Sequence, residues 1–142
     1  MSGKRALLAM AAMSAMAVVP PVDAWAEGDA VRGGELYALY CATCHGATAE
    51  GDGPTAELFA ERPPDLTTLA ARNEGAFPMV EAARRIDGRD PVLAHGVPMP
   101  VYGGFFESGA QVALRTPAGQ TMLTSEPVAD LLAWLESVQA SE

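Results

Sequence analysis

Cys41, Cys44 and His45 form the run C-x-x-C-H, and their side chains carry the clearest chemistry in the sequence. If the segment is helical, the two cysteines lie three residues apart on one face. Their thiols can then form thioether bonds to the two vinyl groups along one edge of a porphyrin. The imidazole of His45, which follows directly, can approach the iron from one side of the ring. The spacing therefore predicts covalent attachment of a c-type haem.

Other uses of the two cysteines have to be weighed against haem attachment. A disulfide would leave His45 without a role, and a thioredoxin-like redox pair would require a βαβ pattern that the sequence before Cys41 lacks. A structural zinc site normally has four ligands, whereas the only other histidine is His95 and there is no further cysteine. We therefore predict haem attachment, with the disulfide, the redox pair and the zinc site as alternatives.

The amino terminus has the composition of a cleavable secretion signal. The basic pair Lys4-Arg5 precedes an apolar run over residues 6–19, and Ala24-Trp25-Ala26 has the small-x-small pattern of a cleavage site. The apolar run has about 14 residues, whereas a membrane-spanning helix needs roughly 20. We therefore expect residues 1–26 to be a signal peptide that is removed and residues 27–142 to form the mature domain, in the periplasm. An uncleaved membrane anchor is the alternative.

The predicted mature domain is strongly acidic. The whole chain has 9 basic and 18 acidic residues and a net charge of −9. Removal of 26 of the 142 residues leaves 116, among them 7 arginines and 17 acidic residues, so the net charge becomes −10. Such a surface disfavours nucleic acid and anionic lipid, and it steers diffusion toward a basic partner. The alternative is that the acidity only keeps an exported protein soluble.

Hydrophobic periodicity predicts a helix at each end of the mature domain, which is long enough to bury one core. The first helix covers residues 27–44 and places Gly33 and Tyr37 on one face. The last covers about residues 126–140, with Ser125 as its N-cap and an apolar stripe along one side. Glycine inside a helix costs roughly 1 kcal/mol relative to alanine, so we expect it to permit close approach of another element. The two helices are therefore predicted to cross.

Shorter elements are predicted between the two terminal helices. Residues 46–65 are rich in glycine and proline and form a loop. Short helices are expected over residues 66–73 and 78–87. Alternating apolar residues on either side of Pro117-Ala118-Gly119 indicate a hairpin near residues 110–124. Together these elements predict an all-α domain with a short β excursion.

A second axial ligand for a haem iron is predicted from the neutral donors of the mature chain, which are Met79, Met99, Met122 and His95. Met99 lies between two prolines, which hold the backbone in few conformations and so fix the position of its thioether. Met79 begins an amphipathic helix and is therefore expected in the core, whereas Met122 lies in an alternating, strand-like run. His95 precedes a glycine in an expected exposed turn. Met99 is therefore the predicted ligand, and a methionine that fills a gap in the core is the alternative.

Two further groups are expected near a bound haem. Pro63-Pro64 followed by Asp65 forms an extended wall whose backbone carbonyl can accept a hydrogen bond from the second nitrogen of His45. Such a bond would fix the tautomer and raise the basicity of the imidazole. Arg84 and Arg85 lie near the end of the helix over residues 78–87, where cations are favoured. Pairing with the haem propionates is an alternative use of these two arginines.

The mature sequence resembles the class I c-type cytochromes. The resemblance rests on the segments Gly33-x3-Tyr37-x3-Cys41-x2-Cys44-His45, Pro63-Pro64-Asp65-Leu66-Thr67, Met99-Pro100-Val101-Tyr102-Gly103 and Leu131-x2-Trp134-Leu135. It implies three or four helices wrapped around one haem, whose iron is held by His45 and Met99. It further implies thioether bonds at Cys41 and Cys44 and a haem pocket that includes Pro64 and Tyr102. The chain departs from the family in a longer segment between His45 and Pro63 and in the insertion-like residues 105–124.

One-electron transfer is the function that this ligand set implies. Both axial positions are filled, and the soft thioether favours ferrous iron. The first hypothesis is a periplasmic monohaem electron carrier, not an enzyme, that docks weakly on redox proteins through a basic patch on the partner. The second hypothesis is a haem c subunit of a dehydrogenase or oxidase complex. In that case residues 105–124, with Phe105 and Phe106, could form a docking element. The alternative is that this segment packs on the protein's own core.

Two other classes of protein, in which His45 and Met99 do not both bind a haem iron, remain as alternatives. One is a ligand-binding or peroxidatic haem protein in which Met99 is absent from the iron. The other is a thiol oxidoreductase with free or disulfide-bonded cysteines. Carbon monoxide binding distinguishes the first from an electron carrier, and a haem stain after denaturing electrophoresis distinguishes the second. No membrane span is expected in the mature protein, which is predicted to be a monomer or a subunit of a redox complex.

Overall fold

Two crossed helices, from opposite ends of the chain, form the centre of the fold. The computed structural model describes residues 27–90, 99–100, 102–106 and 109–140. The elements in order are helix α1 (Ala30–Tyr40), helix α2 (Ala42–His45), two 3₁₀ helices (Ala56–Leu58 and Ala71–Asn73), helix α3 (Met79–Asp87), helix α4 (Gly103–Phe106), strand β1 (Gln111–Arg115), strand β2 (Thr121–Ser125) and helix α5 (Glu126–Ser137). This mainly helical architecture with one small sheet confirms the predicted fold class.

The first helix has an aspartate, Asp29, as its N-cap. The Asp29 carboxylate accepts hydrogen bonds from the backbone N–H groups of Val31 and Arg32 at 2.9 and 3.2 Å. The N–H of Asp29 donates to Oδ1 of the buried Asp130 at 2.7 Å, which ties the start of α1 to α5. The single helix predicted over residues 27–44 is wrong, because Cys41 has φ −114° and ψ −35° and separates α1 from α2.

The predicted crossing of the terminal helices is confirmed. A Cβ atom added to Gly33 would lie 2.0 Å from the carbonyl oxygen of Asp130, so only glycine allows the two backbones to come this close. One turn further along α1, the buried ring of Tyr37 stacks on Trp134 with 4.1 Å between ring centroids. Leu131 and Leu132 of α5 are almost completely buried beside this contact. The glycine and the aromatic pair together set the position of α1 on α5.

Replacement of Gly33 by alanine is expected to lower the free energy of unfolding by about 1–3 kcal/mol, the usual cost of overpacking. The atom that the new methyl group would meet belongs to the backbone of α5 and cannot rotate away. Gly104→Ala is the matched control, because an added Cβ there has no heavy atom within 4 Å. Urea denaturation of the purified proteins measures both changes. Equal stability of the two variants would contradict the account of the crossing.

The helix predicted over residues 66–73 is wrong, except for a single 3₁₀ turn at Ala71–Asn73. The Asp65 carboxylate accepts hydrogen bonds from both the backbone N–H and the hydroxyl of Thr67, at 2.8 and 2.6 Å. Such local bonds offer the backbone an alternative to helical hydrogen bonds and favour a turn. The side chain of Arg72 donates to the backbone carbonyls of Asp65 and Thr68, which closes the turn from its other end.

The two remaining predicted elements are confirmed, and the bounds of α5 differ slightly from the prediction. Helix α3 covers Met79–Asp87, and β1 pairs with β2 in an antiparallel hairpin with Leu114 opposite Met122. Both of these side chains are buried, so the hairpin packs on the protein's own core. Ser125 lies at the N-cap of α5, but its side chain makes no capping hydrogen bond; the residue also ends β2 and is buried. The helix ends at Ser137 rather than near residue 140.

Two sequence-based expectations concern residues outside the described ranges. The predicted signal peptide over residues 1–26 and the exposed turn around His95 both lie there. Among the residues that the structure describes, no helix combines the length and the apolar character that crossing a membrane requires.

Candidate functional site

A cavity of about 400 Å³ lies between the end of α1, helix α2, the segment after Phe59, helix α3 and the middle of α5. Much of its wall consists of apolar side chains, among them Phe59, Leu66, Leu69, Ile86, Leu131 and Leu135. Its volume falls within the range of about 300–1,000 Å³ that is typical of cofactor and small-molecule sites. The cavity therefore has the size and the lining of a site for a largely apolar group.

The structure brings all the predicted site residues to this one cavity: Cys41, Cys44, His45, Pro64, Met99 and Tyr102. They come from three separate stretches of the chain. Two thiols, one imidazole and one thioether consequently border the same apolar space. These are the donors that covalent attachment and two axial bonds to a haem iron require, so the residues present fit a c-type haem.

The turn that contains Cys41 is held by its own backbone. The carbonyl of Cys41 accepts hydrogen bonds from the N–H groups of Cys44 and His45, at 3.1 and 2.9 Å. Gly46 ends the turn with φ +85°, a conformation that favours glycine. Its carbonyl accepts a 2.7 Å hydrogen bond from the buried hydroxyl of Tyr37. The tyrosine that packs on α5 therefore also anchors the C-x-x-C-H turn.

Part of the predicted loop over residues 46–65 packs against Cys44, a contact that was not predicted. The hydroxyl of Thr55 donates to the carbonyl of Thr43 at 2.8 Å and lies 3.3 Å from the Cys44 sulfur. A Cβ atom added to Gly53 would lie 2.5 Å from the carbonyl group of Cys44. The sequence offers no signal for these contacts beyond the density of glycine and proline, because they depend on how the loop folds back on α2.

The His45 imidazole is largely enclosed by protein. Burial lowers the pKa of His45, and the backbone carbonyl of Pro64 acts in the opposite direction. The Nδ1 atom is buried, yet it has no hydrogen bond of ordinary geometry within the described part of the chain. The Pro64 carbonyl is therefore a close neighbour of the ring rather than a well-aligned acceptor. The lowered pKa favours the neutral imidazole, which is the form that binds metal.

Both cysteines of the turn are half-buried and are not joined in a disulfide. Burial raises the pKa of Cys41 to about 11, and the neighbouring Cys44 acts in the same direction. At neutral pH the Cys41 thiol is consequently protonated, and a thiol is a poor nucleophile compared with a thiolate. A redox-active cysteine pair usually has a thiol with a lowered pKa, so this environment disfavours a thiol oxidoreductase.

An aromatic cluster borders the cavity near Met99. The Tyr102 hydroxyl donates to the backbone carbonyl of Tyr40 at 2.9 Å, and the N–H of Tyr102 donates to the carbonyl of Ile86 at 3.0 Å. These bonds tie the segment after Met99 to both α1 and α3. Phe105 packs edge-on against Tyr40, with 5.1 Å between ring centroids. Met99 itself is half-buried and packs against the core.

Among the residues that the structure describes, three arginines line the cavity: Arg62, Arg72 and Arg85. Pairing with the haem propionates was an alternative prediction for Arg84 and Arg85. Of these two only Arg85 lines the cavity, where it also donates to Glu81 at 2.9 Å; Arg84 is exposed. Adjacent residues of a helix point in different directions, which explains the difference.

Comparison with known proteins gives one result at the level of the family. Residues 30–139 match the model of the family described as Cytochrome c. The match extends from the first residue of α1 to two residues beyond α5 and so includes every helix and strand described above. No curated protein and no solved structure matches the chain.

Proposed function

Because the chain belongs to the cytochrome c family, we propose that it is a periplasmic monohaem cytochrome that carries single electrons between redox proteins. Membership of the family establishes the coarser statement, a haem protein that carries electrons. The observation that supports the finer proposal is the apolar cavity bordered by Cys41, Cys44, His45 and Met99. One cavity with one such donor set is the arrangement that a single haem requires.

Each donor has a distinct role in this proposal. The thiols of Cys41 and Cys44 would hold the haem by adding across its two vinyl groups, with a carbon–sulfur bond formed at each and the thiol hydrogen passed to the vinyl carbon. His45 would bind the iron through its neutral imidazole, and Met99 would bind it through its sulfur. When bound, haem c supplies an iron that takes up and releases one electron.

The protein surroundings are proposed to favour the ferrous state and fast exchange. The apolar side chains of Leu66, Ile86 and Leu131 exclude water from the cavity, and a dry surrounding disfavours the extra positive charge of ferric haem. The backbone bonds around Cys41 and Tyr102 limit movement of the turn and of the segment after Met99. The protein around the iron then needs to move little between the ferric and ferrous states, which favours fast electron exchange.

Exposed apolar side chains beside the cavity support docking on another protein. Phe105 is 59% exposed and contacts Tyr40, which lines the cavity; Leu39, the preceding residue of α1, is 68% exposed. Phe106, in contrast, is buried and belongs to the core. Of the two phenylalanines considered as a docking element, only Phe105 is therefore accessible. A small surface of this kind suits a weak, transient contact.

A haem c subunit of a dehydrogenase or oxidase complex is the second candidate, and the same exposed side chains of Leu39 and Phe105 favour it. Gel filtration of the purified protein, with and without native periplasmic extract, separates the two candidates. A free carrier is expected to elute at the size of one chain in both runs. A persistent shift to larger size with the extract would favour the complex subunit.

Purification of the protein from the periplasm of its native host tests the proposal directly. We expect one haem per chain by mass, a mature amino terminus at Glu27, and a haem stain that survives denaturing electrophoresis. The ferric spectrum should show a sulfur-to-iron charge-transfer band at its red end. Rapid binding of carbon monoxide to the reduced protein would instead indicate an open axial position. A colourless protein with the mass of the polypeptide alone would overturn the proposal.

A further inference from the structure

One side of the cavity is formed by a segment without regular structure, residues 66–70, which we call the wall segment. The side chains of Leu66 and Leu69 line the cavity. The segment belongs to no helix or strand, so its backbone polar groups need partners elsewhere. At its start the N–H of Leu66 donates to the carbonyl of Ala49 at 2.8 Å. The remaining contacts of the wall segment decide whether its leucines stay on the cavity.

Gln139 connects both ends of the wall segment through one side-chain amide. Its Oε1 atom accepts a hydrogen bond from the N–H of Ala70 at 2.8 Å. Its Nε2 atom donates to the carbonyl of Leu66 at 2.8 Å and to the carbonyl of Leu135, on α5, at 2.7 Å. A glutamine amide has two donor hydrogens, so both are used. One half-buried side chain therefore joins the wall segment to α5.

The end of α5 places Gln139 at the wall segment. The helix ends at Ser137, and the last four carbonyls of a helix have no partner inside it. The bond from Gln139 supplies a partner to one of these carbonyls, that of Leu135. The next residue adds a backbone bond, because the N–H of Ala140 donates to the carbonyl of Thr67 at 2.8 Å. The chain after α5 is thus hydrogen-bonded along the wall segment.

We propose that Gln139 is a positioning residue that holds the wall segment against the haem cavity and keeps water from that side; this inference rests on the proposed function. The two leucines exclude water only while they stay on the cavity. A dry surrounding disfavours the extra positive charge of ferric haem, so the position of the wall segment affects the reduction potential. Gln139 does not itself line the cavity, and it acts through the wall segment alone.

The other side-chain bonds of this region shape the turn without attaching it to α5. The N–H and hydroxyl of Thr67 donate to the Asp65 carboxylate. Arg72 donates to the backbone carbonyls of Asp65 and Thr68. These partners all belong to the turn itself. Gln139, in contrast, lies 69 and 73 residues along the chain from its two partners in the wall segment, so its bonds fix where the turn lies relative to the core.

Gln139→Met is expected to loosen the wall segment and to lower the reduction potential. Methionine keeps an unbranched side chain of similar length but removes both bonds to the wall segment. Two hydrogen bonds of ordinary strength correspond to about 5- to 150-fold in the equilibrium for local opening. Hydrogen exchange of the Ala140 N–H should be faster by this factor. Water admitted beside Leu66 and Leu69 stabilises ferric haem, so redox titration of the holoprotein should give a lower potential.

Gln111→Met is the matched control, because Gln111 is exposed at the start of β1 and does not line the cavity. We expect it to keep the wild-type potential and the wild-type exchange of the Ala140 N–H. If Gln139→Met does not accumulate, Gln139→Glu takes its place, with Gln111→Glu as the control for the added charge. An ionised glutamate can accept from the Ala70 N–H but has no donor for the wall segment. An unchanged potential or unchanged exchange in the Gln139 variant would overturn the inference.

Haem content separates this inference from the proposed function. If Gln139 does not position the wall segment, Gln139→Met carries haem, keeps its red-end band and has the potential of the wild type. If the proposed function itself is wrong, the wild-type protein has no haem and no potential to titrate. Circular dichroism of Gln139→Met checks that its helices are intact, so that a lower potential reflects the wall segment and not general unfolding.

Discussion

Met99→Ala is expected to leave the haem attached while the reduction potential falls and the ferrous iron becomes open to carbon monoxide. The thioether favours ferrous iron, and its loss leaves a position that water or an added ligand can occupy. Axial ligands set haem potentials over a span of roughly 0.8 V, so a fall on the order of a few hundred millivolts is expected. Redox titration, carbon monoxide binding and loss of the red-end ferric band measure the change.

Met79→Ala is the matched control for Met99→Ala. Met79 is half-buried at the start of α3 and packs against the core, but it does not line the cavity of about 400 Å³. The same change in size and chemistry should therefore alter stability without altering the potential or the red-end band. If Met99→Ala kept the wild-type potential and excluded carbon monoxide, the assignment of Met99 as the axial ligand would be wrong.

His45→Ala is expected to abolish accumulation of haem-bearing protein almost completely. The imidazole is the donor beside the two thiols, and without it the porphyrin is not oriented for both thioether bonds. Much of the core also borders the cavity, including Tyr37, Leu131 and Leu135. Without haem these apolar side chains would remain in contact with water, and the burial that haem provides would be lost. A typical domain is stable by only about 5–15 kcal/mol, so the protein without haem should not accumulate.

To measure the effect of His45→Ala, the periplasmic fraction is stained for haem after denaturing electrophoresis. His95→Ala is the matched control, because His95 is the only other histidine of the chain and is not assigned to the iron. We expect His95→Ala to accumulate haem protein at the wild-type level. A normal yield of folded, coloured His45→Ala would contradict the proposed axial role of His45.

The order of the elements could be predicted from local pattern, but several of their bounds could not. The crossing of α1 and α5 was predicted from the spacing of glycine and tyrosine on α1 and from the apolar stripe of α5. The periodicity of such residues indicates which face of a helix is buried. The break at Cys41 and the turn after Asp65 were missed. The turn after Asp65 depends on hydrogen bonds from Thr67 to the Asp65 carboxylate, which compete with helix formation and leave no periodic signal.

Sequence alone determined the chemistry that this chain can offer. The chain contains the C-x-x-C-H run, a methionine between two prolines and a glycine at the helix crossing. What these residues can do depends on covalent geometry and local conformation, which are properties of the sequence itself. Only the tertiary structure decided that these donors border one apolar cavity and that Thr55 packs on Cys44. The cavity joins stretches that are far apart in the chain, and the loop that carries Thr55 must fold back on α2, so both features exist only once the backbone has folded.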